Sequence, residues 1–164
     1  NKEVEHGFVE FLAKYYIPQQ RGYNSAFIAD FVRDVRNGKA ESFMKRLDAL
    51  FVDGDYQVMG DAELYFQNAV WIIFKMIGFY CEIERHTTDG RMDLLIKTQD
   101  YIYIIEFKLD KSAKEALQQI EEKQYAKLFE QEKRQIYKIG VNFSTKTKRI
   151  DGWMIEDTIN QEKA

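Results

Sequence analysis

The chain has 164 residues, 45% of them hydrophobic and 15% aromatic, enough for one domain with a real core and too apolar for a disordered segment. Its net charge of -3 and isoelectric point near 5.5 exclude a binder that holds nucleic acid by overall charge, though not one with a local basic face. The single cysteine, Cys81, excludes an internal disulfide and fits a reducing cytoplasm, the expected location. The longest apolar run, 69–74, is broken by Lys75 and is too short to cross a bilayer, so neither a membrane span nor a signal peptide is expected. The chain begins at Asn1 without methionine, and the expectation is a piece of something longer.

Residues 1–55 read as helices. Phe8, Phe11, Leu12 and Tyr15 recur at helical spacing until Pro18. Ser25 can cap a second helix through Ala26, Ile28, Ala29 and Val32, stopping near Asn37–Gly38. A third runs from Glu41 to Phe51, with Phe43, Leu47 and Leu50 on one side. Asp53–Gly54–Asp55 marks a turn and a subdomain boundary, dividing 1–55 from 56–164.

A long helix is expected from Asp61, a good N-cap, to Ile77, with Gly78 as its stop. It is apolar almost all round and should be buried on several sides. The period then changes to that of strands, at Tyr80–His86, Arg91–Lys97 and Tyr101–Lys108, the last apolar on both faces as a central strand is. Ser112–Ala113–Lys114–Glu115 is a capping box that opens a helix with Ala113, Leu117, Ile120, Gln124 and Leu128 on one face. Gln135–Phe143 is a fourth strand and Arg149–Ile155 a fifth.

Two of these strands carry charge where a core strand should not. With a hairpin turning at Gln99–Asp100, Thr98 pairs with Tyr101, Lys97 with Ile102, and Asp93 falls opposite Glu106. Facing like charges repel, so something must offset them. Lys108, two residues on from Glu106, projects from the same face and is one candidate. A divalent cation is the other, since carboxylate oxygens suit Mg²⁺. A metal there can activate water and polarise a phosphoryl oxygen, and a lysine can position the water and offset developing charge. The blander alternative is a structural network, with Glu106 and Lys108 as a surface pair and Asp93 answering Arg91. A slip of one residue would turn Asp93 to the other face.

Asp93, then twelve residues, then Glu106–Phe107–Lys108, framed by helix–β–β–β–helix–β, resembles the PD-(D/E)XK nuclease superfamily over roughly Tyr56 to Trp153. The strings AELYFQNAVWIIFKMIGF, GRMDLLI, YIYIIEFKL, EALQQIEEKQYA and KIGVNFS are more narrowly similar to a bacterial subfamily. Its members carry an AAA-type ATPase-like domain before the nuclease-like domain. The resemblance implies an α/β restriction-endonuclease-like αβββαβ core, a mixed sheet flanked by helices. It makes 1–55 a helical extension or linker from an upstream ATPase-like domain, and 56–164 the nuclease-like domain.

The resemblance further implies a metal-dependent nuclease acting on nucleic acid, with DNA the expected substrate and Mg²⁺ or Mn²⁺ the cofactor. Asp93 and Glu106 match the motif's metal ligands and Lys108 its lysine. Phe107 would lend a backbone carbonyl to the metal. Glu63, early in the long helix, matches a further acidic ligand, although an acid is favoured in a helix's first turn anyway. Gln119 matches a supporting polar residue near the site. Met92 stands where the name-giving proline would be. His6, His86, Cys81 and Tyr125 read as surface or packing residues. Lys138, Lys146, Lys148 and Arg149 form a basic run able to touch phosphates, and from Lys108 to Arg149 basic residues outnumber acidic ones. The alternative function is a non-catalytic nuclease-fold module that binds nucleic acid or a protein partner.

Overall fold

The computed structural model describes residues 1–5, 7, 25–52, 62–88, 91–123 and 131–158, without the side chains of 25–27, 62–65, 87, 88, 91 and 92. The helix expected around 8–15 and the boundary at 53–55 lie outside the described residues, as do Asp61, Gln124, Tyr125 and Leu128.

Helices α1 (Ser25–Arg36), α2 (Ala40–Val52) and α3 (Ala62–Ile77) precede β1 (Glu82–Thr88), β2 (Arg91–Lys97) and β3 (Tyr101–Leu109). Helix α4 (Ala113–Glu122) then leads to β4 (Gln135–Ser144) and β5 (Arg149–Asp157). The strands form one mixed sheet in the order β1-β2-β3-β4-β5, with β3 at its centre. Only the β3/β4 pair is parallel, and α4 makes that crossover.

Each helix follows from its apolar spacing. In α1, Ile28, Phe31, Val32 and Val35 recur on one face and are buried. The helix stops before Gly38, whose φ of +70 suits glycine and whose missing side chain leaves room for the ring of Tyr101. Buried Asp34 ties α1 to α2, accepting from Arg46 Nε at 2.6 Å and Ser42 Oγ at 3.1 Å. Helix α3 buries Phe66, Ala69, Val70, Ile72, Ile73, Phe74, Met76 and Ile77, as expected of a helix apolar almost all round.

Helix α3 ends before Gly78 as expected, but Gly78 does not adopt the left-handed conformation. Tyr80 N–H and Cys81 N–H both donate to Ile77 O, closing the turn. Those groups are thereby engaged away from the sheet, and the first strand starts at Glu82 rather than at Tyr80.

The two faces of the sheet are covered differently. Tyr103, Ile105 and Phe107 of β3, with Ile139, Val141 and Phe143 of β4, share one core with α1, α2 and α3. Its centre is aromatic, with Phe66 stacked on Phe143 at 4.0 Å and edge-on to Phe107 at 5.8 Å. On the opposite face Leu95, Ile102, Ile104 and Ile136 lie beneath Leu117 and Ile120 of α4.

Tyr103 anchors the first core: its hydroxyl donates to Val35 O at 2.7 Å. Burial, followed by the neighbouring Tyr137 and Tyr101, pushes its phenol above the ordinary value. Folding therefore favours the neutral phenol, and the unfolded chain gives up this proton first as pH rises past about 10. Stability from this group should be whole at neutral pH and decline on the alkaline side. Urea unfolding of Tyr103→Phe should show a loss of about 1 kcal/mol at neutral pH and a shallower alkaline decline than the wild type.

Candidate active site

The β2–β3 hairpin fixes the position of the acids. Its two-residue loop, Gln99–Asp100, is closed by Thr98 N–H donating to Tyr101 O at 2.8 Å and Tyr101 N–H donating to Thr98 Oγ1 at 3.0 Å. The register that follows pairs Lys97 with Ile102 and Asp93 with Glu106. The expected opposition of the two acids is therefore present. Both point to the α4 face, on the same side as Leu95 and Ile104, and they are 6% and 0% exposed.

Lys108 follows Glu106 on the same face and is half-buried. With Lys111, Glu115, Gln118, Gln119 and Glu122 it lines a cavity of about 300 Å³. Gln119, on the wall of that cavity, is buried. Phe107 sends its side chain to the opposite face, among Phe66 and Phe74, which leaves only its backbone for the site. Glu63 lies in α3, which packs on that opposite face, and its side chain is outside those described. No third carboxylate, histidine or cysteine joins Asp93 and Glu106 in a metal-binding group among the described residues. His86 pairs with Asp93 across β1–β2, but it is exposed and lies 3.7 Å from Glu84, in keeping with a surface histidine.

The ammonium that bridges the pair is one that sequence reasoning did not single out. Lys123, the C-cap residue of α4, places Nζ 2.5 Å from Asp93 Oδ2 and 3.3 Å from Glu106 Oε2. Glu106 Oε1 is buried and accepts no hydrogen bond among the described residues. One oxygen of the pair thus remains for a further cationic or donor group. Two carboxylates with such an oxygen fit a small divalent cation, which oxygen ligands suit and which keeps other positions for water and phosphate.

Helix α4 owes its place to its start and its middle. Ser112 Oγ accepts from Glu115 N–H at 3.1 Å, the N-cap half of the expected capping box, and the Glu115 carboxylate accepts from the Ser112 hydroxyl instead of from its backbone N–H. Before it, Asn142 Oδ1, almost fully buried on β4, accepts from Lys111 N–H at 2.9 Å. Asp110, at φ 52, accepts from Thr145 N–H and Oγ1, and these bonds hold its carboxyl below the usual range. In the middle, Gly140 lies beside Glu106 in the parallel register. A Cβ there would come within 2.4 Å of Ala113 O and 2.5 Å of Leu117 N. The backbone of α4 therefore rests directly on β4, and Gln119 and Lys123, one turn apart, follow from that seating.

The basic run divides. Lys138 is buried and paired with Glu121 at 2.5 Å, so it is removed from the expected phosphate-facing set. Lys146 and Lys148 lie in the β4–β5 turn, at the end of the sheet where β3 delivers Lys108.

Together the sheet order, the crossover helix and the opposed acids define a restriction-endonuclease-like α/β domain. A family model described as the PD-(D/E)XK nuclease superfamily matches residues 61–153, more than half of the chain, and the chain belongs to that superfamily. Nucleases of this superfamily generally use divalent metals. A protein of Azotobacter chroococcum mcd 1, described as "Uncharacterized protein in vnfD 5'region", is 29% identical over 96 residues. That match covers 57% of this chain and 19% of the relative's length. No solved structure matches the chain. No helix among the described residues is long and apolar enough to cross a membrane.

The contact at Gly140 is testable without any substrate. The atoms in the way are backbone, which can move only if α4 lifts, so Gly140→Ala should cost about 1–3 kcal/mol in urea unfolding. A neutral outcome would mean that α4 is not seated on β4 as described.

Proposed function

We propose that the domain hydrolyses phosphodiester bonds of nucleic acid, with DNA as the substrate, using Mg²⁺ or Mn²⁺. The observation that carries this reading is the buried opposition of Asp93 and Glu106, with Lys108 next on the same face. Asp93 and Glu106 would hold the metal, with the Phe107 carbonyl and Glu63 as further ligands. When bound, such a cation polarises the phosphoryl oxygen and makes water a better nucleophile. Lys108 orients the water and offsets the negative charge that develops on the phosphoryl oxygens. The water oxygen forms the new bond to phosphorus as the bond to the leaving oxygen breaks. The proton lost by the water goes to solvent, and the leaving oxygen takes one up. Gln119 supports the site from the cavity wall. The cavity's Lys108 and Lys111, and the turn carrying Lys146 and Lys148, give the phosphate backbone a basic approach.

The reading extends to the whole polypeptide. An AAA-type ATPase-like domain would precede this one, with 1–55 as the helical connection and 56–164 as the nuclease-like domain. A relative whose length this chain spans by only 19% leaves room for such a partner. A second reading, a nuclease-fold module that binds nucleic acid or protein without cleaving, is favoured by Lys123, whose ammonium already offsets part of the buried charge.

Calorimetry with Mn²⁺ separates the two readings. The wild type should bind the ion, and Glu106→Gln should lose both binding and cleavage while keeping its circular dichroism. Lys108→Ala should keep Mn²⁺ binding and lose at least about 100-fold in cleavage rate. A retained rate in Lys108→Ala would sink the mechanism. Absence of binding in the wild type would favour the module.

A further inference from the structure

We propose that Lys123 is a displaceable placeholder, holding Asp93 and Glu106 together until a divalent cation takes its place. The inference rests on the reading that this pair binds a metal, and it concerns what the chain does before the metal arrives.

Three observations carry it. The first is which atoms Lys123 uses. Its ammonium takes one oxygen from each carboxylate, Asp93 Oδ2 and Glu106 Oε2, so it lies where a cation bridging the pair would lie.

The second is charge. Two carboxylates carry two negative charges, and one ammonium leaves a net charge of minus one. A divalent cation alone matches the charge of the pair, and a cation and the Lys123 ammonium on the same two oxygens repel each other, so the two compete for the pair.

The third is which partner can move. The Glu106 and Asp93 side chains are 1% and 8% exposed and are fixed by the strand register, whereas Lys123 is 27% exposed on the last turn of α4. Its flexible four-carbon stem can carry the ammonium to water without moving the helix. The carboxylates stay, and the lysine yields.

Lys123 therefore differs in kind from Lys108. Lys108 belongs to the strand and to the cavity wall, and its task is in the reaction. Lys123 is a positioning residue that keeps two like charges facing each other in a folded domain, at the expense of metal affinity.

The test combines Mn²⁺ calorimetry on wild type and Lys123→Met with amine labelling of the wild type read by mass spectrometry. Lys123→Met should bind Mn²⁺ at least about tenfold more tightly, because the competitor is gone. Its thermal midpoint without metal should fall, and the rise on adding Mn²⁺ should exceed that of the wild type. In the wild type, Lys123 should be labelled several-fold faster once Mg²⁺ is added. Lys97, bonded to Glu84 at 3.1 Å in a separate cluster, should not change. The labelling decides the question alone should Lys123→Met fail to fold. Equal or weaker Mn²⁺ binding in Lys123→Met, or unchanged Lys123 labelling at saturating Mg²⁺, overturns the placeholder and leaves the metal reading intact. No Mn²⁺ binding in either protein overturns the metal reading and the placeholder with it.

Discussion

Two carboxylates face each other across neighbouring strands, on the side of the sheet that a helix covers. Little else in the domain makes sense without that opposition. Like charges in directly facing positions weaken a strand pair, and burial sharpens the repulsion because less water screens it. A hairpin with these residues should slip, and a one-residue slip would separate them by sending Asp93 to the other face. The slip is prevented by side chains that have nothing to do with the acids. Leu94 and Ile96 of β2, with Tyr103, Ile105 and Phe107 of β3, are committed to the aromatic core. Moving them to the α4 face would expose that core. The aromatic core thus holds the register, and the α4 face carries the like-charge repulsion that the register imposes.

The same division explains the unequal cover of the sheet. Among the described residues, α1, α2 and α3 protect the face that supplies stability, while α4, of ten residues, covers the face that carries charge. That short helix needs help. Gly140 lets it rest on β4, and Ser112, Asn142 and the Asp110–Thr145 bonds fix its start. A helix held at its start and middle, and tied by Glu121 to Lys138, can keep its seat while Lys123 at its C-cap exchanges partners. A cavity beside Lys108 and Gln119 fits that arrangement, since a helix with a larger apolar footprint would fill it.

Much of this was legible in the residues because it is local. The hairpin register followed from a two-residue loop and the strict alternation of a strand, and the cap of α4 from Ser112 and Glu115 three residues on. The centrality of β3 followed from its being apolar on both faces. The misses share a different character. Lys123 is an ordinary lysine among charged helix residues, and only the seating of α4 brings it to Asp93, thirty residues away in the chain. Gly140 reads as a weak point in a strand until α4 is laid on it, although an isolated glycine in a strand does signal a close backbone approach. Lys138 looked like part of a basic run because Glu121, its partner, lies on another element. The first strand began two residues late because Tyr80 and Cys81 finish the helix turn instead. In each case the deciding partner is distant in sequence, where periodicity and local propensity carry no information.

The charges themselves bear on which function the fold serves. A sheet face that only had to pack against α4 would be more stable with apolar residues at 93 and 106, since replacing buried charges by well-packed hydrophobic residues is commonly neutral or favourable. Ile102, Ile104, Leu95 and Ile136, all on that face, show that such packing is available there. A binding module would place its charges where a partner could reach them. Here the two acids are almost wholly enclosed, beyond direct contact by a protein or nucleic-acid surface. A small cation can take the place of the Lys123 ammonium between them. The burial that makes the pair unfavourable for folding also limits what can satisfy it, and that argues for chemistry at this place over recognition.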